Sequence, residues 1–458
     1  MVTFFDFLQE HYRTICGILL ITWATYYAYT HPYSLGDSTT YVVLIGAEIL
    51  LLSVIHYRRT FFLAVMISFL WAGLSLPLKG LWGAARWPVL LCAAIVGMVL
   101  WLKEERTHFG AMHLFAMFCV VAAMASAAVS AFPRTAFLKS LSLLLLFLYT
   151  SGGVRVAILD REREFTRTLL VVCEVVGYVT ALLYLGLGFE IFGNSNSLGA
   201  VAGVVLVPLA GCGVLLAESN PQRRRSLLSL AVSVTLLLVS RSRAGLLSAF
   251  AVGAFLLLGT KQYRLFFRGT LGVVAAVALI GIWSPEVISE FMEGVNANVI
   301  YKGHREKGLL GSRLEPWNAT MATIREHPFF GGGFGTTQTG AESEYQASAV
   351  ATSRGTTREH GNSYLALLEW VGLLGIMPFL LLLGGVALEI KAVYFFMRRS
   401  LDRSHPAIAL AAVCLAGLVG SVFEDWLFAV GYYLSVFVWS MAFCLVDLTR
   451  KPIQPAAR

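Results

Sequence analysis

The sequence predicts an all-α polytopic membrane protein, with twelve to fourteen transmembrane helices and one large, partly helical loop on the outward side. Three observations carry this expectation. Of 458 residues, 57% are hydrophobic and only 14% charged, whereas a soluble domain carries about 25% charged residues. The mean hydropathy is +0.72, and the apolar residues fall in runs long enough to cross a hydrocarbon core roughly 30 Å thick. Lys and Arg alternate between successive connections: 22 fall in one set and 13 in the other, or 22 against 6 when the one long loop is set aside. Because cytoplasmic connections are enriched in Lys and Arg, both termini are expected in the cytoplasm and the long loop outside.

Fourteen candidate spans follow in order: 14–30, 39–55, 60–78, 87–102, 109–131, 136–154, 168–187, 197–217, 226–240, 243–260, 265–283, 362–388, 406–423 and 427–446. Several are short, so twelve spans with re-entrant or interfacial pieces is the alternative. There is no internal repeat and no low-complexity tract, and residues 1–458 read as one membrane domain. The N-terminal segment lacks a basic region and a small-residue cleavage site, so the first run is expected as a retained span. Ten Trp and 17 Tyr suit two interfacial belts. The seven Cys sit in apolar runs without a C-x-x-C pattern, which indicates neither a disulfide framework nor a zinc site. The net charge of +8 comes from residues flanking spans and calls for no nucleic acid.

Residues 284–361 form the long loop. A connection of this length is far longer than joining two spans requires, and long loops on a rigid frame concentrate binding and catalysis. Three segments in and near it carry chemistry. In the first, Arg241 and Arg243 follow an apolar run of only 14 residues, Ser226 to Val239. That run covers roughly 21 Å, which places both arginines below the outer surface, where an unpaired cation is costly. Arg243 also opens the next helix, at the end where an anion is favoured. A bound anion would satisfy both; the plainer reading is two arginines snorkelling to headgroups.

The second segment, Ser312-Arg313-Leu314-Glu315, has the spacing of a capping box. It predicts a helix from Arg313 to about Glu326, stopped by His327-Pro328. Arg313 and Trp317, four apart, share a face. The glycines of 331–335 lack the Lys-Ser/Thr of a P-loop and read as a tight turn back to the membrane. In the third segment, Arg358-Glu359-His360-Gly361-Asn362, His360 stands at the mouth of the next span, unlike His31, His304 and His327. Histidine is the usual general base near neutral pH. Asn362 and Glu369 lie seven apart on one helix face, turned toward the bundle interior. The outward aspartates are Asp37 and Asp425, so no Asp-x-Asp metal–diphosphate motif is present. Glu48, Glu174 and His113 lie within spans and read as structural, a relay role being the alternative.

These segments, in this order, resemble the bacterial O-antigen ligase and polymerase superfamily. The resemblance rests on Ser242-Arg243-Ala244-Gly245, on Arg313 with Trp317, on His327-Pro328 to Gly335, and on His360-Gly361-Asn362-Ser363-Tyr364-Leu365, over about residues 235–390. Gly361 between His360 and Asn362 departs from the family pattern, in which the two are adjacent, and leaves Glu359 as the fallback base. The resemblance implies a GT-C-like fold in the bacterial inner membrane and glycan transfer at its periplasmic face. The implied donor is a glycan on undecaprenyl diphosphate. The implied acceptor is a sugar hydroxyl, on lipid A–core for an O-antigen ligase or on another lipid-linked glycan for a polymerase.

In that reading Arg243 and Arg313, with Arg241 the weaker candidate, hold the diphosphate, and His360 takes the acceptor proton. Trp317, Glu359, Asn362 and Glu369 complete the substrate site. No cofactor is expected, arginines standing in for a metal, and direct displacement inverts the anomeric centre. Protein O-oligosaccharyltransferases share the loop motifs. A lipid-linked oligosaccharide flippase is the reading from another class, and it predicts two related halves that the sequence does not show.

Overall fold

The computed structural model describes residues 57–76, 79–103, 109–264, 311–336, 360–400 and 405–450. Three expected spans (14–30, 39–55 and 265–283), both termini and most of the long loop lie outside these residues. The other eleven occur as helices: α1 Tyr57–Gly73, α2 Lys79–Lys103, α3 Ala111–Ala128, α4 Pro133–Val154, α5 Glu162–Gly186, α6 Ser195–Leu216, α7 Asn220–Val239, α8 Arg243–Gly259, α10 Ser363–Arg399, α11 Ala407–Gly420 and α12 Tyr433–Arg450. The twelfth helix, α9, Gly311–Glu326, belongs to the long loop. No strand occurs among the described residues. Five helices (α3, α4, α5, α6 and α10) are long and apolar enough to cross a membrane, and the protein is an all-α polytopic membrane protein.

Helix α11 is apolar all round and is buried on nearly every side, as a helix without a polar face must be. It packs between α8 and α12, while α10 lies along α3. Small residues allow the closest approaches. Gly199 of α6 faces Ser240 and Ser242, and Gly203 faces the backbone of Gly245, so a methyl group at either glycine would overlap its neighbour. This contact fixes the start of α8, and with it Arg243, against α6.

Helix α10 contains the main departure from a plain span. It is broken at Gly372, which has φ 67°, a conformation that costs other residues about 1–2 kcal/mol. The break frees backbone groups on both sides, and the glycine-rich segment of the long loop takes them up. The N–H groups of Gly332 and Gly333 donate to the carbonyls of Glu369 (2.8 Å) and Trp370 (3.2 Å). The N–H groups of Leu373 and Leu374 donate to the carbonyls of Pro328 (2.8 Å) and Phe329 (3.1 Å). Ser126 of α3 also donates to the Trp370 carbonyl, and Lys139 of α4 donates to the Gly335 carbonyl. The turn expected at 331–335 is therefore the piece that mends a broken helix.

Two further expectations are corrected. Ser312 lies inside α9, which is helical from Gly311; a cap needs non-helical backbone ahead of the helix, so the capping-box start is not formed. Helix α7 has 20 residues, Asn220–Val239, because the basic segment Arg223–Arg225 extends the apolar run as helix. Of the in-span polar residues, Glu48 lies outside the described residues, and Glu174 and His113 have partners. Glu174 pairs with Arg225 at 2.7 Å. His113 meets Arg155, a buried arginine that is also bonded through two nitrogens to Asp447.

A Cβ at position 372 would stand 2.4 Å from the backbone of Phe329. Gly372→Ala is therefore expected to lower the thermal unfolding temperature in detergent and to raise hydrogen exchange at Gly332, Gly333, Leu373 and Leu374. Unchanged exchange at those four amides would contradict the docking.

Candidate active site

The site is built where three connections between helices meet. The first is the start of α10. Asn362 caps this helix, its Oδ1 accepting from the N–H groups of Tyr364 (2.8 Å) and Leu365 (3.0 Å). Gly361, at φ 64°, turns the chain sharply just before the cap, and a side chain there would collide with Arg313. The turn sends His360 inward, where it is 1% exposed.

The second connection is the turn between α11 and α12, residues 421–432. It is fastened to α10: the Ser363 N–H donates to the Ser421 carbonyl (2.9 Å), the Ser363 hydroxyl to the Glu424 carbonyl (2.7 Å), and the Leu427 N–H to the Ser363 hydroxyl (3.2 Å). Arg86 of α2 donates to the Gly431 carbonyl at 2.6 Å. This turn presents Asp425 to His360. Asp425 Oδ2 accepts from the His360 backbone N–H (2.9 Å) and lies 3.3 Å from Nδ1. On the far side of the ring, Nε2 lies 3.4 Å from Glu369 Oε1, with Glu369 itself buried. The edge of Trp370 closes the ring contact, at 5.4 Å between centroids.

The imidazole is thus held between two carboxylates. Burial alone would lower its pKa, but hydrogen bonds to Asp425 and Glu369 and their negative charges outweigh burial and raise it above the ordinary value. Burial likewise opposes the charge of Asp425, while the hydrogen bonds from His360 hold its carboxyl below the ordinary value.

The third connection brings the arginines. Arg313 on α9 donates to Glu424 Oε1 at 2.9 Å. Trp317, one turn on, donates from its indole to the Gly361 carbonyl at 3.4 Å, so the shared face expected for Arg313 and Trp317 lies against residues 360–361. Arg243 opens α8, where Ser242 caps the helix by accepting from the Gly245 N–H (3.2 Å). It is half-buried and within electrostatic reach of Arg313.

Arg243, Arg313, Trp317, His360 and Glu369, chosen from three separate stretches of sequence, are therefore gathered at one end of the bundle. Arg241 is exposed, in a left-handed conformation at φ 52°, and is not inside the bundle as expected. Asn362 caps α10 through its Oδ1. Glu359 lies outside the described residues. Sequence reasoning missed Glu424 and Asp425 as site residues. The available signal was two consecutive carboxylates in the three-residue gap between spans 406–423 and 427–446. Among the described residues, no group of three or more His, Cys, Asp and Glu is arranged to hold a metal ion.

Residues 227–380 match a family model described as O-antigen ligase. The matched segment runs from α7 through the long loop into α10, and so contains both arginines, Trp317, His360 and Glu369 but not Glu424 or Asp425. No curated protein matches the chain.

The carboxylate clamp predicts the titration of His360. In ring-labelled protein, the resonance that disappears in His360→Ala is expected to titrate above the ordinary value of about 6.5. Its midpoint should fall in Asp425→Asn, which removes one negative neighbour. A midpoint that stays put in Asp425→Asn would contradict the clamp.

Proposed function

We infer the reaction from two premises: residues 227–380 match a family model described as O-antigen ligase, and the site pairs cationic donors with a clamped histidine. The proposed reaction is glycan transfer from undecaprenyl diphosphate to a sugar hydroxyl of lipid A–core, at the periplasmic face of the inner membrane. The observation that carries it is the placement of Arg313, bonded to Glu424 and lying against Gly361, next to His360 and Asp425, with Arg243 within electrostatic reach of Arg313. The lipid diphosphate leaves with the electron pair of the broken anomeric bond and growing negative charge, which preorganised donors stabilise. Guanidinium forks bind phosphate oxygens in pairs and keep their charge at any working pH.

Arg313 uses one arm of its fork on Glu424, which holds the guanidinium in place. Trp317 covers the Gly361 turn. The acceptor hydroxyl is a weak nucleophile and needs a base. In this reading its oxygen bonds to the anomeric carbon, the bond from that carbon to the phosphate oxygen breaks, and the proton passes through Asp425, the more exposed carboxylate of the clamp, to Nδ1 of neutral His360. Asp425 and Glu369 then balance the charge on the ring, and Glu369 fixes its orientation from behind. Displacement from the face opposite the diphosphate inverts the anomeric centre. Arg241, on the surface, is placed to meet the lipid-phosphate from outside. Glu359 stays the fallback base.

Polymerisation, with a second lipid-linked glycan as acceptor, uses the same donor chemistry and is the second reading. A deletion strain separates the two: loss of a ligase leaves polymerised glycan on the lipid carrier, and loss of a polymerase leaves single repeat units on core.

The test of the assignment is transfer of labelled glycan by membranes containing each variant, normalised to protein level. His360→Ala is expected to lose about 10²–10⁴ in rate. Arg243→Ala and Arg313→Ala should lose about 10²–10³ and bind donor more weakly. Arg313→Lys should remain impaired because the charge persists without the fork. Wild-type transfer should continue in excess EDTA. Loss of turnover in EDTA, restored by magnesium, or near wild-type transfer by His360→Ala, would overturn the assignment.

A further inference from the structure

Beside the catalytic cluster lies a cavity of about 300 Å³, at the small end of the range for small-molecule sites, about 300–1,000 Å³. We infer that this cavity, walled by Asn194, Asn196, Ser197, Asp425, Trp426 and Tyr432, is the seat of the acceptor sugar; the inference rests on the transfer reaction proposed above.

Charge sorts the two substrates. The cavity is lined by Glu424 and Asp425, and no Lys, Arg or His is among its lining residues in the described part of the chain. An anionic diphosphate would be repelled there and is drawn instead to Arg243 and Arg313. A neutral polyol suits the lining: carboxylates accept from hydroxyl groups, and amides both donate and accept. Asn194 spends its Oδ1 on the Ser197 N–H (2.7 Å), which leaves its NH₂ as the group for a ligand oxygen. Trp426 is 5% exposed and backs the cavity as part of its wall. Tyr432 adds an amphipathic ring with a polar tip. A site this small takes about one sugar ring and excludes a lipid chain.

The two carboxylates form the partition. Glu424 faces the cavity and also holds Arg313; Asp425 faces the cavity and also holds His360. A hydroxyl of a sugar seated in the cavity therefore meets the proton-accepting pair from one side while the donor's anomeric carbon arrives from the arginine side. The atoms that must react are brought to the boundary between an acidic and a basic compartment.

The experiment is steady-state transfer with lipid-linked donor and lipid A–core acceptor, varying each in turn, for wild type, Asn196→Ala, Tyr432→Phe and Ala429→Trp. The last fills the cavity without removing a polar group, and detergent unfolding temperatures check each fold. Asn196→Ala and Tyr432→Phe are expected to raise the acceptor KM about five- to tenfold, and Ala429→Trp by more, with the donor KM unchanged. A rise in donor KM with acceptor KM unchanged, or no change in either, would overturn the acceptor assignment while wild-type transfer left the reaction standing. Absence of transfer by wild type would overturn both.

Discussion

The structure depends on a break in one transmembrane helix and on what fills it. An apolar interior offers no water to satisfy an open backbone, so an interrupted helix is tolerated only where protein groups replace the missing bonds. Each group left unpaired would cost on the order of 1–3 kcal/mol. At Gly372 the replacement comes from the long loop, whose backbone at 328–333 bonds to both sides of the gap. The loop is thereby anchored to the bundle at a defined depth, and α9, immediately before it, is held over the start of α10. The same break sets the first two turns of α10 apart from the rest, with His360 ahead of them and Glu369 at their end. Position and chemistry come from one set of main-chain bonds.

On that frame the charged groups form an ordered series. Arg243 stands near Arg313, Arg313 bonds to Glu424, Asp425 follows Glu424 in the chain and bonds to His360, and His360 faces Glu369. Arg313 and His360 each have carboxylate neighbours of opposite sign, which is the condition for holding charges away from water. The pairing also divides the site. The arginines join the site through Glu424, and the histidine joins it through Asp425. A reaction that expels an anion and takes a proton from its acceptor needs such a division.

Much of this was legible in the sequence because membranes impose simple rules. Apolar length and the alternation of basic residues gave the spans, and eleven of fourteen occur as helices among the described residues. Arg313, Trp317 and His360 stood out because they are polar groups in an otherwise apolar chain. The partners of His360 and Arg313 were hidden for a different reason. Asp425 is 65 residues from His360 and Glu424 is 111 from Arg313, and no local pattern encodes a pairing across that separation. The helix break was hidden too, since Gly372 sits within an unbroken apolar run and its conformation is dictated by a loop 40 residues earlier. The extended helix α7 and the helical Ser312 show the limit of local rules: an apolar run marks the buried part of a helix, not its ends.

The central claim is that this site makes a glycosidic bond at the expense of a lipid diphosphate ester. It is tested most directly with the purified chain in lipid nanodiscs, an undecaprenyl-diphosphate glycan labelled at its reducing-end anomeric carbon, and a lipid A–core acceptor, followed by NMR of the product. The account predicts that the labelled carbon appears in a new glycosidic linkage of inverted configuration, with one undecaprenyl diphosphate released per bond. Retained configuration, or a glycan that stays on its carrier while liposomes containing the chain move it across the bilayer, would contradict it.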